Sequence, residues 1–171
     1  SRSPLQLGAE LYGEPGLEAD VEVIDLMLSM FAEVGIEADE NLTLDLGHGD
    51  IVRYVLHHYA GDKPGLQSKL FDAVQRKSRP DLDALVAELD DDGARAVSAL
   101  LELHGDLAVL DRAEALFADD APAVVRAIDD LRRLAATLMR RYPSVSVYFD
   151  LTELRGYHYH TGVVFAVYAR G

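Results

Sequence analysis

The chain has no cysteine. Disulfides, thiol catalysis and cysteine-ligated zinc or iron–sulfur centres are excluded at once, and the expected location is the cytoplasm. Positive charge is scarce as well, with 16 Lys and Arg against 30 Asp and Glu, a net charge of −14 at pH 7. A surface this acidic repels phosphate backbones, so no nucleic-acid partner is expected. Its plainest use is solubility. No apolar run approaches the roughly 18 residues of a membrane span, so no membrane partner is expected either. The opening SRSPLQLGAELYG lacks the basic-then-apolar order of a secretory signal. The familiar catalytic signatures are missing: there is no GxSxG elbow, phosphate loop, GxGxxG or HExxH. Internal repeats and low-complexity tracts are absent too.

What remains is an ordinary globular composition, 49% hydrophobic and 27% charged over 171 residues. That is about one domain, long enough to bury a real core. Residues 1–12 alternate, with Leu5, Leu7, Ala9 and Leu11 on one side and Gln6, Gly8, Glu10 and Tyr12 on the other. The pattern predicts a strand that begins without lead-in, as in a fragment. Residues 17–35 predict a helix with acids in its first turns and Gly35 at its C-terminal end. Residues 41–46 predict a strand with Leu42, Leu44 and Leu46 on one face. GHGD, 47–50, reads as a turn whose Asp50 caps the next helix.

From Gly61 to about Gly105, Pro and Gly punctuate short amphipathic helices and no strand pattern intervenes. This predicts a helical insertion over 61–106. A further helical stretch is expected from Leu107 to Arg141, with Val124, Ile128, Leu131, Ala135, Leu138 and Tyr142 on one stripe. After Pro143 two strands follow. Val145, Val147, Phe149 and Leu151 share a face of the first, and the short link to the second predicts antiparallel neighbours.

Two strand faces carry chemistry. Gln6 and Glu10 flank Gly8 on one face, leaving room for a ligand between an amide and a carboxylate. From this segment alone, a solvent-facing strand with a bulge glycine is the plainer reading. Near the C-terminus, ELRGYHYHTGVVFAVYARG places Arg155, His158, His160 and several tyrosines around Gly156 and Gly162. The Arg155 fork suits a carboxylate or phosphate and keeps its charge. His158 and His160, at alternate positions, could chelate a cation with Glu10 as a third ligand, but no other His-rich motif supports a metal site. Asp150 and Glu153 are read as a turn between strands.

Taken together, QLGAELYG and RGYHYHTGVVFAVYA resemble histidyl-tRNA synthetase. They are similar to its second signature motif and to its histidine-binding strand, which characteristically reads RGLDYYTGTVFE. Arginine, glycine, tyrosine, threonine, glycine and phenylalanine fall in register over Arg155–Phe165 without a gap. The departures are His158 at an Asp position, His160 at a Tyr position and Ala166 at a Glu position. RGYHYHTGVVF is thereby closer to the family's non-aminoacylating paralogue, the regulatory subunit of ATP phosphoribosyltransferase.

The resemblance covers residues 1–171 but only the middle of the family's core. It implies an α+β fold, a mainly antiparallel sheet flanked by helices in the manner of a class II aminoacyl-tRNA synthetase core. It implies no catalysis, cofactor or metal in this chain. The implied partners are L-histidine, a short-form catalytic subunit of ATP phosphoribosyltransferase and further copies in a homo-oligomer. Gln6 and Glu10 would face the imidazole or amino group of histidine, Arg155 its carboxylate end, and Tyr159 would close the pocket beside His160. The alternative the resemblance leaves open is a piece of a true histidyl-tRNA synthetase, which activates histidine with ATP.

Overall fold

The computed structural model describes residues 8–118, 121–153 and 161–169. Its first element is α1, Leu17–Glu33. Glu18 and Asp20 lie in the first turn, where the helix dipole favours acids. The end is a paired-carbonyl C-cap. The amide of Ile36 reaches the Phe31 carbonyl at 2.9 Å and that of Gly35 the Ala32 carbonyl at 3.0 Å. Gly35 sits at φ +83°, which a glycine adopts freely.

Strand β1, Leu42–His48, buries Leu42, Leu44 and Leu46 to 1% exposure or less. It runs straight into α2, Gly49–Ala60. The expected GHGD turn is therefore not one, and Asp50 is not the cap. His48 is the cap residue, and its Nδ1 accepts from the Asp50 amide at 3.3 Å. A ring nitrogen here takes the part that a side-chain oxygen usually plays at a helix start.

The helical block is made of α3, Pro64–Gln75, α4, Arg79–Val86, α5, Asp91–Ala99, and a 3-10 turn at Leu100–Glu102. Asp90 caps α5 by accepting from the Gly93 amide at 2.8 Å. Leu66, Leu70, Val74, Leu82 and Val97 bring the block into the same core as the sheet. Directly after it comes β2, His104–Gly105, too short to leave a periodic signal.

The expected helix over 107–141 is two helices, α6, Ala108–Phe117, and α7, Pro122–Arg141. Pro122 opens α7, since a proline lacks the amide that an interior position must donate. The apolar stripe of α7 is buried from Val124 to Leu138, as its spacing predicts.

Strand β3, Ser146–Asp150, and strand β4, Val163–Ala169, complete a sheet ordered β2-β3-β1-β4. The two are not neighbours, contrary to expectation, because β1 lies between them. It pairs parallel with β3, Leu46 opposite Phe149, and antiparallel with β4, Leu46 opposite Phe165. The link over 151–162 is long enough to pass one strand, whereas a hairpin loop has about two to five residues. The fold is α+β with a mixed sheet in which two of three pairings are antiparallel. Residues 8–12 are not a strand: they carry no regular element, and Leu11 is 45% exposed. An extended segment needs a partner for its amides, and none lies beside it among the described residues. Among those residues no helix is long and apolar enough to cross a membrane.

Candidate functional site

The C-terminal end of β1 is where the polar groups gather. Two anchors there hold the flanks of the segment that carries the arginine, tyrosines and histidines of the resemblance.

The first anchor holds Gly162 to the start of α2. The Gly49 amide donates to the Gly162 carbonyl at 2.8 Å, and the Gly162 amide donates to Asp50 Oδ2 at 3.0 Å. The other Asp50 oxygen meets the Arg53 guanidinium at 2.9 Å. Gly162 sits at φ +78°, so the second glycine of the strand motif is there for its backbone.

The second anchor is Asp150, at the end of β3. Its Oδ1 accepts from the Thr152 amide at 3.0 Å and the Thr152 hydroxyl at 2.8 Å. Its Oδ2 is bound by the Lys77 ammonium, which reaches over from the helical block. Gly47 makes the approach possible. A Cβ there would stand 2.6 Å from the Asp150 carbonyl oxygen, closer than real Cβ contacts come. Lys77 itself sits at φ 51°, in the turn that closes α3, where a glycine would be the easier residue. The ammonium is what the position keeps.

Burial by itself would raise the Asp150 carboxyl. The Lys77 and Thr152 bonds outweigh it and hold the group below its ordinary 3.8. Burial works the other way on Lys77, and the Asp150 bond carries that ammonium above its ordinary 10.5. An acid depressed on folding stabilises fully above its unfolded pKa, and that contribution is lost as pH falls through the folded value. The pair is thus intact at neutral pH and is lost only as pH falls through the depressed folded value of Asp150, below the ordinary carboxylate range. In urea unfolding, wild type should lose more stability between about pH 7 and pH 3 than Asp150→Asn does. Equal losses would mean that this carboxylate does not carry the acid sensitivity.

Beside the first anchor lies a cleft of about 310 Å³, bordered by the start of α1, by His48, Gly162 and Val163, and by Asp130 and Arg133 of α7. A groove of about 450 Å³ between α1 and α7 shares Leu17, Glu18 and Arg133 with it. At that groove Arg141 and Tyr142 both bond Asp25.

Of the residues the sequence singles out, Gln6, Arg155, Tyr159 and His160 lie outside the described residues, as does His158. Glu10 is described, exposed, and accepts from the Tyr12 hydroxyl. That bond pushes the Tyr12 phenol up. Asp150, read from sequence as part of a plain turn, is instead a buried ion-pair partner. The sequence gives no sign of the roles of His48 and Lys77, of the bond from Gly162 to Asp50, or of the nearness of Asp20 to Asp130. Most of these partners come from distant segments.

The family model described as histidyl-tRNA synthetase matches residues 1–171. A protein of Thioalkalivibrio sulfidiphilus named ATP phosphoribosyltransferase regulatory subunit is 48% identical over all of this chain and 43% of its own length. A Pseudomonas syringae pv. syringae protein of the same name is 47% identical, with 42% of its length covered. The chain thus spans about two-fifths of the length of these curated relatives. Among solved structures, one from Bacillus halodurans, described as an ATP phosphoribosyltransferase regulatory subunit/histidyl-tRNA synthetase, superposes with TM-score 0.77 at 26% identity. That match covers 92% of this chain and 40% of the other. An ATP phosphoribosyl transferase complex of Thermotoga maritima shares the fold, with TM-score 0.65 at 19% identity over 91% of this chain and 52% of that one. The two motifs, the α+β architecture and the match over the full chain lead to one conclusion: this chain belongs to the histidyl-tRNA synthetase family.

Proposed function

We propose that this chain is the core of a regulatory, non-catalytic subunit of ATP phosphoribosyltransferase. It senses histidine, the end product, and catalysis resides in a short-form partner subunit. The observation that carries this reading is the 47–48% identity, over the whole chain, to relatives that bear that name. His158, His160 and Ala166, the departures from the synthetase strand, point the same way. Feedback needs two states with different histidine affinity. The helical block over 61–106 is read here as an insertion, coupled to the histidine segment through Lys77 and Asp150. A homo-oligomer in the cytoplasm completes the proposal.

The second reading, histidine activation by a synthetase fragment, draws on the solved structure whose description carries both names. One experiment separates them. A thermal-shift titration of the full-length protein with L-histidine, at about a hundred times the dissociation constant, should add about 2.7 kcal/mol of stability. Histidinol, ATP and zinc, titrated separately, should each fall short of that. Histidine-dependent exchange of pyrophosphate into ATP would overturn the regulatory reading in favour of the synthetase. No shift with histidine would remove the sensor.

A further inference from the structure

Helix α1 carries more apolar surface than the core takes. Val21, Ile24 and Leu28 are buried, and Leu17, Met27 and Phe31 pack against the same core. A second apolar stripe runs along another side of the helix. Ala19, Val23, Leu26 and Met30 recur at spacings of four, three and four, and Val34 follows four further on. At about 100° per residue these positions form one narrow band, roughly 135° round the helix from the core stripe. None of them belongs to the core. Leu26 is 43% exposed and Val34 72%. Spacings of four and three are those of a seam between helices, and a stripe that faces solvent has no use in the fold of this chain.

Charge says what can cover it. Between Leu17 and Glu33 the helix has Glu18, Asp20, Glu22, Asp25 and Glu33, and no Lys or Arg. Asp25 is held by Arg141 and Tyr142, which fixes α1 against α7 and leaves the stripe preformed. Glu22 and Glu33 lie along one edge of the stripe, and among the described residues neither makes an ion pair. A second copy of α1 laid on the stripe would set acid against acid. An anionic membrane surface would be repelled for the same reason. A helix with its own apolar stripe, edged by Lys or Arg, matches both features. From Ala19 to Val34 the stripe is roughly 22 Å long at about 1.5 Å per residue, the length of a docked helix.

We propose that this stripe docks a basic amphipathic helix of the catalytic subunit. Leu26 and Val34 are the apolar anchors, and Glu22 and Glu33 face the Lys or Arg of the partner. The proposal rests on the regulatory-subunit reading, which requires a protein partner, and gives that partner a place on the fold.

The test titrates the full-length protein with the short-form catalytic subunit by calorimetry. Leu26→Lys and Val34→Lys put positive charge on exposed helix positions, where lysine is a good helix former. Each should weaken the complex about ten-fold or more, with the melting temperature and the mass in solution of the free protein unchanged. Glu22→Lys should weaken it less and make the affinity less sensitive to salt. Unchanged affinity in both lysine variants would overturn the proposal. So would a lower melting temperature of the free protein in both, which would show the stripe covered by its own chain. A smaller mass in both would give the stripe to a second copy and overturn it equally. A wild type that does not bind the catalytic subunit overturns the regulatory reading, and this proposal with it.

Discussion

Arg155→Ala should lose L-histidine binding by about a hundred-fold or more, with the melting temperature of the unliganded protein unchanged. Arg155 stands at the arginine position of the strand motif, and on the proposed reading it faces the ligand's carboxylate. Removing one partner of a desolvated, hydrogen-bonded charge pair costs about 2–5 kcal/mol, because the other charge stays buried and unpaired. Arg155→Lys should fall between wild type and alanine, since it keeps the charge and loses the planar fork. Calorimetric titration of the three proteins measures this directly. Normal affinity in Arg155→Ala would take the residue out of the site. A lowered melting temperature in the same variant would make its role structural.

The largest loss of stability should come from Phe149→Ala. Phe149 is 1% exposed, lies on an inner strand and stands opposite Leu46, which in turn stands opposite Phe165. Truncating a buried phenylalanine costs about 3–5 kcal/mol, as transfer energy plus the cavity left behind. In a chain of this size that lowers the melting temperature by about 10 °C. Total stability is about 5–15 kcal/mol, so the variant retains a fold but a marginal one. Phe165→Ala, on the outer strand β4 and only partly buried, should cost clearly less. Equal losses in urea unfolding would mean that strand position does not govern the packing energy here. Phe149 also immediately precedes Asp150, so its removal should loosen the anchor that Lys77 makes.

The sensing proposal gains a physical route from the two anchors. Lys77 belongs to the turn that follows α3, and Asp150 stands before the segment expected to face histidine. Anything that shifts the helical block relative to the sheet changes this ion pair. On the other flank, Asp50 holds Gly162. On the proposed reading, a partner bound to the block and histidine bound at this segment would therefore be coupled through its two flanks, which is what reciprocal coupling requires.

Much of the fold was legible locally. The alternation of Leu42, Leu44 and Leu46, the acids at the start of α1, Gly35 at its end and the stripe of α7 all stand in the structure as their spacing predicts. Each expresses the period of its own element. Residues 8–12 alternate just as cleanly and are not a strand, because alternation supplies a face but no partner for the amides. The break before α7 is marked by Pro122, which opens that helix ahead of its apolar stripe.

The candidate site divides along the same line. The amino-acid sequence by itself determined the family, through two motifs whose residue identities stand in fixed register, and it determined the helices and strands whose periods are short. Tertiary structure decided that β1 lies between β3 and β4. It also decided that His48 caps α2, that Lys77 meets Asp150, and that Asp20 and Asp130 line one cleft. Hydrophobic period is a property of neighbouring residues, whereas a charge pair between residues 77 and 150, or the approach of residues 20 and 130 to one cleft, exists only once the chain has closed those loops.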